Sequence, residues 1–243
     1  MGIYLESKEK EIFIKQVDIL TACQVQKPLI FDVGANRGQS ILNYRELLPD
    51  CRVYSFEPVP YVFDELKNSY GWLKDVHLYL FALGSTNECR AFHIMRLPEM
   101  SSFLSPEPWL QQLSPDHKYD FDLINVECRT LDRVCYESGV DSIDILKIDV
   151  QGAELDVLNG GISMLTTGAV GMIYLEVTLA ESYVNQMKLR DLLEFLEPKG
   201  YRLWDILPFV YTDAGRVWTA NALFLNSKMT DMVEERSRCQ KKF

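Results

Sequence analysis

Phe31-Asp32-Val33-Gly34-Ala35-Asn36-Arg37-Gly38 is the first run of residues whose types and spacing suit chemistry. Gly34 lets the backbone turn tightly, and Gly38 lets the start of a helix approach a ligand with no Cβ between them. The D-x-G-x-x-x-G spacing is wider than the G-x-G-x-x-G of a dinucleotide site, where a pyrophosphate sits on the helix N-terminus, and it lacks the lysine of a triphosphate site. It suits a ligand group without phosphate, such as the amino-acid end of S-adenosylmethionine. A purely structural turn is the alternative. A side chain at Gly34 is expected to abolish ligand binding in a chain that still folds. Glu57, followed by Pro58, closes a second apolar strand, where a carboxylate accepts hydrogen bonds from both hydroxyls of a ribose. Lys147, Asp149 and Glu154 form a second cluster. Lys147 and Asp149 share a strand face by the two-residue period, and Glu176 ends the next strand. Two carboxylates that converge must share a proton, pair with Lys147 or bind a cation. Asp149, then Glu176, are candidates for a general base toward an acceptor, and the same two are the candidates for a divalent metal. Glu154 opens a helix, where a charge that favours the helix dipole explains it equally well.

The elements that must position these groups alternate along the chain. Pro28 to Val33, Arg52 to Phe56 and Val76 to Leu83 read as buried strands. Ser40 to Leu48, and a run from Pro60 with Val62, Phe63, Leu66 and Tyr70 on one face, read as crossover helices. The result is a βαβαβ half-sheet with ligand space at its carboxyl edge. Residues 86–130 break the alternation as a strand, Cys89 to Leu97, a Ser/Pro/acid-rich lid, and a strand, Leu123 to Thr130. Ile143 to Val150, a short helix from Ala153, and Val170 to Val177 resume it. A helix carrying Leu189, Leu192, Leu193 and Leu196 follows, with Gly200 as its stop. Tyr201 to Leu207 and Thr219 to Leu225 form an antiparallel hairpin. Residues 1–27 are a helical segment and 227–243 a polar tail, expected to be a frayed helix. The fold class is α/β with a mostly parallel seven-stranded sheet in a single domain, 1–243.

Of the histidines, His77 and His93 lie in predicted strands and read as structural. His117 sits in the lid, on the surface or as a base. Trp109, Phe209, Tyr211 and Trp218 are expected in loops over the carboxyl edge, lining an acceptor pocket or packing at an edge. Net charge is -10 with no basic block, which disfavours a nucleic-acid partner. Six cysteines without a C-x-x-C pair, and no apolar leader, point to a reducing cytoplasm. No apolar run approaches the ~20 residues of a membrane span.

The runs FDVGANRG, FEPVP (56–60), FALGS (81–85), SSF (101–103), TLD (130–132) and DILKIDVQGAELDVLNGG (144–161), in that order, resemble the FkbM family of methyltransferases. The resemblance implies a class I methyltransferase Rossmann-like fold, S-adenosylmethionine as donor, and O-methylation of a natural product or sugar. It implies that Asp32, Gly34, Asn36 and Gly38 surround the methionine moiety, with Glu57 on the ribose and Ala82 and Leu83 near the adenine. Ser101 and Ser102 either close over the donor or form an ordinary polar loop. Many relatives carry His shortly after the fifth-strand Glu, where this chain has Val177-Thr178. An NAD-dependent oxidoreductase and a non-catalytic adenosyl-ligand binding protein are the competing readings. The acceptor and the oligomeric state are not legible.

Overall fold

The computed structural model describes residues 2–112, 120–211 and 215–240. Helix α1 (Gly2–Ala22) leads into β1 (Leu29–Val33), α2 (Gln39–Leu47), β2 (Arg52–Phe56), α3 (Pro60–Tyr70) and β3 (Val76–Tyr79). Next come β4 (Ala82–Leu83), β5 (Glu88–Met95), α4 (Pro108–Gln112) and β6 (Phe121–Arg129). The chain continues through α5 (Leu131–Ser138), β7 (Ile143–Ile148), α6 (Glu154–Asn159), α7 (Ile162–Thr166) and β8 (Val170–Thr178). It closes with α8 (Leu189–Leu196), β9 (Tyr201–Tyr211), β10 (Val217–Asn226) and α9 (Ser227–Gln240).

Seven strands form the main sheet in the order β3-β2-β1-β7-β8-β10-β9, and β10 runs antiparallel to both its neighbours. The central strands are mostly apolar because helices cover both faces, with Asp32 in β1 and Lys147 in β7 as buried exceptions. In β7, Ile145 joins one core with Ile12, Ile41 and Tyr44, while Leu146 and Ile148 join the other with Leu158, Leu165 and Leu192. Strand β1 lies between β2 and β7, so the chain order reverses there and leaves a crevice at the carboxyl ends. Alternation then sets which side chains reach that crevice. Asp32, Lys147 and Tyr174 point toward α1 and α2, and Gly34, Asp149 and Glu176 follow two residues later on the same face.

Four expectations change. The predicted strand Val76 to Leu83 breaks after Tyr79, and Ala82 and Leu83 pair parallel with Cys128 and Arg129 in a second sheet, β4-β6-β5. The strand-loop-strand insertion therefore continues from the half-sheet itself. Thr130 does not end a strand; its hydroxyl accepts from Arg133 N and caps α5, with left-handed Gly139 as the stop. The polar tail is a docked helix rather than a frayed one. Met229 is buried in the α1-side core, and Arg236 donates to the carbonyls of Thr21 and Ala22 at the end of α1. Phe209 and Tyr211 lie in β9, Trp218 in β10 and Trp109 in α4, so these aromatics are in regular elements, not loops.

Candidate active site

A cavity of about 340 Å³ opens at the carboxyl ends of β1, β2, β7 and β8, within the size range of small-molecule sites. Its β2 side is apolar, walled by Val59, Ala82, Leu83, Phe92 and Phe103. Its middle is formed by Gly34, Ala35, Asn36, Glu57, Pro58 and Lys147. Its β8 side carries Asp149, Gln151, Tyr174, Glu176 and Asn221, with Phe13 and Asn43 from α1 and α2.

The loop after β1 is bound to β2: Gly34 N and Ala35 N both donate to the Phe56 carbonyl, and Asn36 N donates to Glu57 Oε2 at 3.0 Å. Val59 N donates to the other Glu57 oxygen at 2.8 Å. Each oxygen keeps lone-pair capacity toward the cavity. Burial raises the Glu57 carboxyl to about 7, against the lowering effect of those two N–H groups. Asn36, in the cavity wall, has a buried Oδ1 without a partner, a free acceptor beside the cavity. A carboxylate, an unsatisfied amide oxygen and an adjacent apolar slot match a ribose, an ammonium group and an adenine, so these residues fit an adenosyl amino acid.

The glycines have different reasons from those expected. A Cβ on Gly34 (φ +76°) would lie 1.9 Å from the Asp149 carbonyl oxygen, so the residue is small because β1 and the end of β7 meet there. A Cβ on Gly38 (φ +89°) would lie 2.4 Å from the Tyr70 ring; Gly38 makes room for α3, not for a ligand, and does not line the cavity.

Asp32 is fully buried beneath the cavity and pairs with Lys147 Nζ at 2.9 Å. The Lys147 ammonium also donates to the Gly34 carbonyl and lies 3.9 Å from Asp149. Burial alone would lower its pKa, but Asp32 and then Asp149 raise it, which favours the charged ammonium. Asp149 is not the buried acid expected: its side chain is 41% exposed, open to the cavity. Glu176 is the strongly perturbed one, raised to about 8 by burial and then by the Asp149 and Glu154 charges. Gln151 spans the two, its Nε2 donating to Asp149 Oδ1 at 2.8 Å and to Glu176 Oε2 at 2.9 Å. Glu154 accepts from Val150 N and Gly152 N and holds the turn into α6, with burial raising its carboxyl to about 7. Among the described residues no three His, Cys, Asp or Glu side chains converge on a point where a metal ion could sit.

Ser101 lines the cavity with its hydroxyl accepting from Met95 N. Ser102 does not line it; its hydroxyl donates to the Val150 and Gln151 carbonyls and fastens the insertion to the end of β7. His77 packs on Tyr54 and His93 on Phe121, both away from the cavity, and His117 lies outside the described residues. Trp109, Phe209, Tyr211 and Trp218 are not in its wall. Sequence reasoning missed Gln151, Phe13, Asn43 and Asn221. Gln151 was findable, two residues beyond Asp149 in the longest motif. Phe13 and Asn221 carry no local signal, because tertiary packing of α1 and β10 brings them in.

The methyltransferase FkbM domain profile matches residues 32–203. The chain is 30% identical over 191 residues to the 2-O-methyltransferase NoeI of Sinorhizobium fredii, covering 73% of this chain and 74% of that one. It is 29% identical over 156 residues to methyltransferase sdnD of Sordaria araneosa, covering 55% and 60%. Among solved structures, the magnesium protoporphyrin IX methyltransferase of Synechocystis with bound S-adenosylmethionine superposes at a TM-score of 0.49 with 14% identity, over 90% of this chain and 80% of that one. With the matched profile covering most of the chain and its motifs walling the cavity, the chain belongs to the FkbM family of S-adenosylmethionine-dependent methyltransferases.

Proposed function

We propose that the protein methylates a hydroxyl oxygen of a neutral, hydroxyl-rich small molecule, such as a sugar or a natural product, with Glu176 taking the proton. The observation that carries this reading is the Asp149–Glu176 pair on the β8 side of the cavity, across from the apolar slot and Glu57. When bound, S-adenosylmethionine supplies a sulfonium methyl group that transfers in line to a nucleophile. On the donor side, Glu57 would accept from the ribose hydroxyls and Asn36 Oδ1 from the ammonium, with Ala82 and Leu83 beside the adenine. On the acceptor side, a carboxyl near 8 is half-matched to neutral pH, which favours proton removal during attack. Asp149, open to the cavity, accepts a second hydroxyl and orients the acceptor. Lys147 is the one cation among the described lining residues and Asp32 neutralises it, while Glu57, Glu99, Asp149 and Glu176 are acidic. An anionic acceptor meets repulsion there. The relative NoeI carries a 2-O-methyltransferase description, which agrees with an oxygen acceptor. Six unpaired cysteines agree with a reducing compartment.

Methyl-labelled S-adenosylmethionine, offered with neutral methyl glycosides, uronic acids, sugar phosphates, phenols and amines, tests the reading by mass spectrometry. Labelled ethers of the neutral glycosides are expected. Transfer confined to amines or anionic sugars would overturn it.

A further inference from the structure

We propose that Gln151 is the positioning residue of the acceptor-side carboxylates, its amide holding Asp149 and Glu176 in a fixed relation and Tyr183 holding the amide. The two carboxylates need donors between them, and the two protons on Gln151 Nε2 serve one each. The amide oxygen then faces away, 3.2 Å from the Tyr183 hydroxyl, which also lies 2.8 Å from the Met100 carbonyl. The backbone is constrained as well. Gln151 sits at φ +56°, a left-handed conformation that costs a non-glycine residue energy, and Ser102 Oγ donates to its carbonyl at 2.9 Å. The insertion therefore holds the main chain of this residue directly, through Ser102, and reaches its side chain through Met100 and Tyr183.

The charged groups around Glu176 make the amide matter. Asp149 on the end of β7 and Glu154 on α6 face it as like charges, while Thr219 on β10 and Gln151 donate to it. Lys147 lies 3.9 Å from Asp149 but is committed to Asp32. An amide that donates one N–H to each of two carboxylates favours the ionised form of both. Without it, Glu176 keeps its proton to higher pH and less base is present at neutrality.

Carboxyl-carbon NMR titration of glutamate-labelled protein saturated with S-adenosylhomocysteine tests this directly, with Glu176→Gln assigning the resonance. The Glu176 midpoint is expected at least ~1 pH unit higher in Gln151→Leu, a tenfold change in the ionised fraction, and higher by less in Tyr183→Phe. Affinity for S-adenosylhomocysteine, measured by calorimetry, is expected to stay within about threefold, since the donor groups lie elsewhere in the cavity. Should Gln151→Leu not fold, the isosteric Gln151→Glu replaces donors by an acceptor and is expected to raise the midpoint further. An unmoved midpoint in folded variants would overturn the assignment, as would an affinity loss with the midpoint unchanged. The proposal rests on the O-methylation reading, but this titration needs no acceptor, so the two fail separately. With a methyl glycoside as acceptor, Gln151→Leu is expected to lower kcat at pH 7 at least ~10-fold while KM stays within about threefold.

Discussion

Glu57, which is buried, and Glu176, which is partly buried in the cavity wall, both have raised pKa values, yet the groups around them suit them to different work in the proposed reaction. Two backbone N–H groups orient Glu57, so its replacement has two effects. Glu57→Ala is expected to weaken S-adenosylmethionine binding by about 2 to 4 kcal/mol, from lost charge-assisted bonds to the ribose. It also orphans the N–H groups of Asn36 and Val59, so the melting temperature falls as well. Glu57→Gln keeps one acceptor and separates the effects: calorimetry should show weakened binding with a smaller thermal loss. Normal donor affinity in both variants would remove Glu57 from the donor site. In the proposed reaction Glu176 acts on the other substrate. A base must be ionised, so kcat/KM is expected to rise with pH to a plateau above an apparent pKa of about 8. Glu176→Gln should lose that limb of the profile and at least ~10² in rate while binding the donor normally. A profile flat from pH 6 to 9 would show that the base is another group.

Between elements, the close approaches at two glycines decide how the site is built. Because Gly34 touches the Asp149 carbonyl, Gly34→Val should separate β1 from β7 and disrupt folding, so loss of binding in that variant says nothing about ligand contact. Gly38→Ala is the informative change. Its Cβ meets Tyr70 and Leu66 of α3, and a cost of about 1 to 3 kcal/mol is expected in urea unfolding, with donor affinity largely kept once the protein is folded. A selective loss of binding at unchanged stability would return Gly38 to the ligand. Helix α9 offers a second test. Met229 lies against Gly171 of β8 and is buried in the α1-side core, so Met229→Ala should cost about 2 to 5 kcal/mol. A frayed tail would show no change.

For the whole molecule, the three raised glutamates tie stability to pH. Glu57 and Glu154 near 7 and Glu176 near 8 all lie above the ordinary 4.5. The folded state therefore holds more protons than the unfolded state between about 4.5 and 8, and stability must fall as pH rises through that window. The net charge of -10 adds self-repulsion in the same direction. The melting temperature is expected to be higher at pH 6 than at pH 9, and the difference to shrink in Glu176→Gln. An equal or greater difference in the variant would place the titration elsewhere. The amide between Asp149 and Glu176 leads to another expectation: EDTA should leave methyl transfer unchanged, and a loss reversed by Mg²⁺ would mean that the pair recruits a cation together with its substrate.

The sequence by itself determined the alternation of strands and crossover helices, and it placed the glycine loop and Glu57 at strand ends, because those signals are local. Apolar runs mark strands buried on both faces, and the glycine loop and Glu57 each sit at a strand end that the alternation locates. Strand breaks and docked ends were less legible. Nothing local distinguishes Phe81 turning away from β3, and only the partners of Met229 and Arg236 convert a polar tail into a packed helix. The acceptor half was decided by the tertiary structure. Asp149 and Glu176 were visible as strand-end acids, but which of them is the more desolvated depends on β10, α6 and Gln151 around them. Phe13 and Asn221 reach the cavity only because α1 and β10 pack beside β8, over chain separations that no spacing rule spans. Strand-end position follows from sequence periodicity, whereas desolvation and hydrogen-bond partners depend on every neighbour in space, and those properties set the chemistry of a carboxyl group.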